Sequence, residues 1–162
     1  MRTELEPVKW ADGTYRLFLP LKQLLELERN CGATDRDGIL RTKSVYAIHE
    51  ECGQGLGFNS ETGEPAYLGA GNAHAGDIRE AMRLLLIGGD AGMVNGAEIA
   101  VGPLKANQLC EDYCYPARPL VEAQYLVWSA LDAAIRGVQL KKKPPQSDSL
   151  EAGAPGSPEE PS

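Results

Sequence analysis

The chain has 162 residues, with 16 basic and 23 acidic side chains, a formal charge of −7 and a pI near 4.9. That length suits one compact domain, and the acidic balance disfavours a nucleic-acid backbone or an anionic membrane as the main partner. The apolar run at residues 84–87 falls far short of the ~20 residues a spanning helix needs, and Glu4 and Glu6 stand where a secretory leader would be apolar; the expectation is a soluble, cytosolic protein with reduced thiols.

With only 6% aromatic residues, the core must be filled mainly by aliphatic side chains, which favours helices. At the N-terminus Val8 and Trp10, then Tyr15, Leu17 and Leu19, alternate with polar neighbours around Asp12-Gly13, a hairpin signature. A two-residue turn there sets Trp10 opposite Tyr15, Val8 opposite Leu17 and Lys9 opposite Arg16. Pro20 opens a helix whose stripe Leu21, Leu24, Leu25 and Cys31 ends before Gly32. A second helix is expected over 38–52, with Ile39, Leu40, Val45, Ile48 and Cys52 inward. Residues 53–76 carry Gly53, Gly55 and Gly57 and neither helical nor alternating periodicity, so they are read as an irregular contact loop or a tolerated insertion.

A third helix starts with Asp77 as N-cap and Glu80 in the capping-box position, and stops at Gly88-Gly89. Pro103 opens a fourth, with Leu104, Leu109, Cys110, Tyr113 and Cys114 inward. Pro119 opens a fifth, with Leu120, Val127, Trp128, Leu131 and Ile135 inward, closed by Gly137. The expected fold is mainly α with a small N-terminal β-hairpin (α+β): about five helices packed as one compact domain over residues 1–140. Residues 141–162 hold five prolines, four serines and one large aliphatic, and are read as a disordered Pro/Ser-rich tail. Setting aside the tail's three lysines and four acids leaves 13 basic and 19 acidic residues on the domain.

Candidate chemistry is sparse. His49 with Cys52, and Cys110 with Cys114, each place two metal-ligand types on one helical face, but structural zinc sites draw on tight C-x-x-C knuckles and cysteines on an apolar stripe behave as small hydrophobes. No nucleophile stands in a recognisable setting beside His49 or His74, and the glycines at 53–57 match no phosphate-binding loop. The reading is therefore non-enzymatic, with no cofactor and no metal.

The order of elements resembles a known family, the short tail assembly chaperones of gene transfer agents and related siphophages. The likeness is carried by Leu19-Pro20-Leu21-Lys22-Gln23-Leu24-Leu25-Glu26-Leu27-Glu28, by Asp77-Ile78-Arg79-Glu80-Ala81-Met82-Arg83-Leu84-Leu85-Leu86-Ile87-Gly88-Gly89, and by Arg118-Pro119-Leu120-Val121-Glu122-Ala123 running on to the Ala-rich close before Gly137. It covers roughly residues 5–138.

The resemblance implies a factor in the host cytoplasm that keeps the long tape measure protein soluble and helps the tail tube protein assemble around it. It also implies a possible frameshifted longer form, with Lys141, Lys142 and Lys143 marking a place for the slip. The contact residues nominated on this basis are Leu21, Leu24, Leu25, Leu27, Trp128 and the same three lysines. Two other classes stand beside this one: a structural tail component such as a tube or connector subunit, and a small thiol- or zinc-dependent protein.

Overall fold

The structure is a computed structural model and describes residues 1–139. The reading of residues 141–162 as a tail, and the roles given to Lys141, Lys142 and Lys143, lie outside the described residues.

The chain opens with β1 (Val8–Trp10) and β2 (Gly13–Tyr15), an antiparallel hairpin. Its register pairs Val8 with Tyr15, Lys9 with Thr14 and Trp10 with Gly13. The turn is thus Ala11-Asp12, one residue earlier than the Asp12-Gly13 signal suggests, and Ala11 takes a left-handed φ of 58° to make it. This shift preserves side-chain parity, so Trp10 and Tyr15 still share the buried face, as diagonal neighbours with ring centroids 6.4 Å apart. Lys9 faces Thr14, and the expected Lys9–Arg16 pair does not form.

Helix α1 (Leu21–Asn30) follows, with Pro20 as its N-cap. Between it and α2 (Val45–Gly53) stands a second small hairpin, β3 (Ala33–Thr34) with β4 (Leu40–Arg41), where a helix from residue 38 was expected. The physical reason is turn chemistry: the Asp35 carboxylate accepts the N–H groups of Asp37 and Ile39 at 2.9 and 3.0 Å, and Gly38 takes φ 79°. Ile39 and Leu40 are consequently exposed. The α2 start is set by Ser44, whose hydroxyl accepts the Ala47 N–H at 3.1 Å.

Residues 53–76 are not irregular throughout. They contain β5 (Leu56–Phe58) and β6 (Pro65–Tyr67), closed by Asn59, whose side-chain oxygen accepts from Glu61 and Thr62, with Gly63 at φ 73°. Helix α3 (Ala75–Gly89) starts two residues before Asp77, with His74 as N-cap. The expected capping box is absent because Asp77 stands inside the first turn of α3 and not at its cap; its carboxylate accepts from Lys43 Nζ at 2.7 Å and that of Glu80 from Arg83.

After α3 comes the hairpin β7 (Gly92–Val94) and β8 (Ala97–Ile99), turned by Asn95-Gly96, both at positive φ. β7 pairs with β2, completing a four-stranded antiparallel sheet of order β1-β2-β7-β8. Helix α4 (Pro103–Leu109) runs into a π-helical turn at Cys110–Cys114, and α5 (Leu120–Arg136) ends at Gly137. Leu104, expected inward, is exposed on α4. Val138 then pairs with Arg2, closing the domain on its own N-terminus.

The architecture is α+β, with five α-helices and the N-terminal hairpin in place. The emphasis on helix is corrected by eight short strands in three small sheets among the described residues. Helix α3 is the centre: Ile78, Ala81, Met82, Leu84, Leu85 and Leu86 are buried around its circumference, and α1, α4 and α5 all pack on it.

Candidate interaction surface

On α1 the leucines divide into two sets. Leu27 is fully buried and Leu24 partly, and with Cys31 they form the i, i+3, i+7 stripe that packs toward α3. Leu21 and Leu25 are 70% and 56% exposed. The sequence puts them on one apolar stripe with Leu24 and Cys31, but a run with leucine at 21, 24, 25 and 27 allows more than one stripe, and the one containing Leu27 is the one that meets α3. At 100° per residue the exposed pair shares its side of the helix with Lys22 and Arg29, also exposed. Of the contacts nominated on this helix, Leu21 and Leu25 are exposed, Leu24 is partly buried and Leu27 belongs to the core.

Trp128 is part of the α2–α5 interface. Its indole lies against Gly53, where a Cβ would come within 2.9 Å of Nε1, and stacks on His49 with centroids 5.6 Å apart and planes 17° from parallel. The imidazole Nε2 is 3.0 Å from the Asp132 carboxylate, which Arg136 also engages at 2.8 Å. A second polar tie between the same helices is Gln124, only 7% exposed, whose amide donates to the Cys52 carbonyl at 2.8 Å. It thereby satisfies a carbonyl of the last turn of α2. Neither Gln124 nor Asp132 carries a sequence signal; both act across more than 70 residues of chain.

The thiols are all free and buried. Burial pushes Cys31 and Cys52 up to about 12 each, with Asp77 and Glu51 respectively adding to the effect. Both are therefore protonated and poorly nucleophilic at neutral pH. The Cys110 thiol is also pushed up, by its hydrogen bond with Cys114 and by burial. Among the described residues no group of three His, Cys, Asp or Glu side chains is placed to hold a metal, so neither His49–Cys52 nor Cys110–Cys114 gains a third ligand there. No helix among them is long and apolar enough to cross a membrane.

The β5–β6 hairpin is the surface feature that periodicity missed. Leu68, 71% exposed, lies across Gly57 on one face of the hairpin, while Phe58 and Tyr67, each more than half exposed, stand on the opposite face, toward α5. Phe58 meets Tyr125 of α5 edge to face at 5.3 Å, which fixes the hairpin on the helix layer. Below it a cleft of about 420 Å³ opens between Tyr67, Ala73, Ile78 and the first turn of α5. The legible signal was Asn59 with Gly63 between two short runs, a turn that positions a hairpin.

No protein-family model, curated protein or solved structure matches the chain.

Proposed function

We propose that this protein is a tail assembly chaperone of the gene transfer agent and siphophage kind. It acts in the host cytoplasm by covering apolar stretches of the tape measure protein while the tail tube protein assembles, and it makes and breaks no covalent bond.

The observation that carries this reading is the pair Leu21 and Leu25, turned to solvent on a helix whose Leu27 is buried and whose Leu24 is partly so. Two large aliphatic side chains one helical turn apart offer the i, i+4 anchors by which helical surfaces engage an amphipathic partner. The three segments that carry the family resemblance supply α1, α3 and α5, and α3 packs on both of the others, so the resemblance falls on one packed unit. An acidic domain limits non-specific clustering when many copies crowd on one long chain.

The test is co-expression of the full chain with a tape measure fragment. The expected result is a fragment that stays in solution and co-purifies with the wild type, and is lost with Leu21→Glu/Leu25→Glu although the variant keeps the wild-type circular dichroism spectrum. A fragment equally insoluble with and without the chain overturns the proposal. So does recovery of the chain as a stoichiometric component of purified particles, which would mark it as a structural tail subunit.

A further inference from the structure

We propose that Cys110 and Cys114 form a reversible redox site: a peroxide oxidises the pair to a disulfide across the π-helical turn, and a dithiol reductant returns it to two thiols. The bond forms within the chain and alters no partner, so this chemistry is independent of the chaperone reading.

The four thiols of the chain fall into two classes. Cys31 and Cys52 stand singly in the core, each pushed up to about 12 by burial with a carboxylate adding to it. Cys110 and Cys114 stand together, at the two ends of the π-helical turn that follows α4, and both are buried. On an α-helix the Cβ atoms of residues four apart lie roughly 5–6 Å from each other, wider than the ~3.8 Å a disulfide prefers. A π turn closes its hydrogen bonds one residue later and is wider, which sets its first and fifth residues more nearly one above the other. The two thiols accordingly interact directly. The single proton of Cys110 has two acceptors in reach, the Arg79 carbonyl at a long 3.9 Å and the Cys114 sulfur, and an ionised sulfur is the stronger of the two.

This contact divides the labour. The hydrogen bond from Cys110 holds the Cys114 thiol below its ordinary range against the effect of burial, and the Arg79 guanidinium adds to the lowering. The same bond, with burial, pushes Cys110 up. Arg79 is fixed beside the turn, donating to Asn107 at 3.0 Å and to Glu111 at 3.1 Å. An acidic thiol next to one that keeps its proton is the arrangement of an attacking and a resolving cysteine. Cys114 is the less buried of the two and precedes exposed Tyr115, so a reagent as small as hydrogen peroxide needs only a local opening at the end of the turn to reach it.

The Cys114 thiolate attacks one peroxide oxygen, the O–O bond breaks, and the hydroxide that leaves takes up the proton Cys114 lost on ionising. Cys114 is then a sulfenic acid. The Cys110 sulfur displaces its hydroxyl, which departs as water with the Cys110 proton. In sum the two thiols give up two electrons and two protons, and the peroxide becomes two waters. A bond closing so short a loop adds little to stability, which suits a reversible site better than a structural staple.

The readout is a peptide. Trypsin leaves both residues in one fragment, 106–136, that holds no other cysteine, because Arg118 precedes Pro119. The folded full chain is treated with a few equivalents of hydrogen peroxide, unfolded in iodoacetamide and digested. The fragment is expected to be unalkylated and lighter by two hydrogens, to recover two alkylated thiols after dithiothreitol, and to oxidise at least about tenfold faster than Cys31 or Cys52. In Cys110→Ala the reaction stops at a sulfenic acid on Cys114, which dimedone captures; in Cys114→Ala dimedone leaves Cys110 unlabelled. Circular dichroism checks that both variants fold, and the wild-type measurement stands without them. A fragment that keeps both thiols, that oxidises no faster than Cys31 and Cys52, or whose change dithiothreitol does not reverse overturns the proposal, as does dimedone on Cys110 in place of Cys114. No tape measure fragment takes part, so failure here is distinct from failure of the proposed function.

Discussion

Glu80 and Gln124 illustrate how single side chains are tuned by what packs around them. Burial works against ionisation of Glu80, yet hydrogen bonds from Arg83 at 2.6 and 2.7 Å and from Asn30 at 2.7 Å outweigh it and hold the carboxyl below its usual range. A depressed carboxylate contributes stability that is complete above its unfolded value and is lost as pH falls through the folded one, so the loss sets in below about pH 4.3. Urea unfolding across this acid range should show a smaller pH dependence in Glu80→Gln than in the wild type. Gln124→Leu leaves the Cys52 carbonyl without its donor at the end of α2, and should cost about 1–3 kcal/mol in the same assay.

At the scale of elements, the junction between α3 and the sheet is the tightest. A Cβ on Gly89 would collide with the Arg16 carbonyl oxygen, and one on Gly88 with that of Phe18. These contacts let the segment after β2, residues 16–18, run alongside the end of α3, where Phe18 N–H donates to the Leu85 carbonyl at 3.1 Å and Arg16 N–H to that of Ala91 at 3.0 Å. Gly89→Ala is therefore expected to force the two backbones apart at a cost of about 1–3 kcal/mol, measured by thermal or urea unfolding. The Gly-Gly pair reads in the sequence as a helix stop, and it is one, but its second task of admitting a neighbouring backbone depends on the segment Arg16–Phe18, about 70 residues earlier.

The described residues form a helix layer centred on α3 with a four-stranded sheet and two small hairpins, and their surface leucines follow from that arrangement. The structure separates Leu27, fully buried, from Leu21 and Leu25 on the same helix. Leu27→Ala should cost about 2–5 kcal/mol, whereas Leu21→Glu/Leu25→Glu should change unfolding free energy by no more than about 0.5 kcal/mol per site. Equal losses from both would mean that α1 packs with a different face inward. Such a test also separates the exposed leucines from the packed one, which α1 mixes within two turns.

Local chemistry made much of this legible in advance. Pro20, Pro103 and Pro119 mark helix starts, Gly89 and Gly137 mark helix ends, and the N-terminal alternation marks a hairpin, because caps and turns depend on residues a few positions apart. The turn residues Asp35 with Gly38, Asn59 with Gly63, and Asn95-Gly96 carried equally local information, and give the three further hairpins. Beyond that reach are the choice between Leu27 and Leu25 as the inward leucine, the pairing of His49 with Asp132 and the outward presentation of Leu68. Each is decided by which distant element arrives to cover it, since burial and hydrogen bonding are properties of the packed chain and are not encoded at any one position.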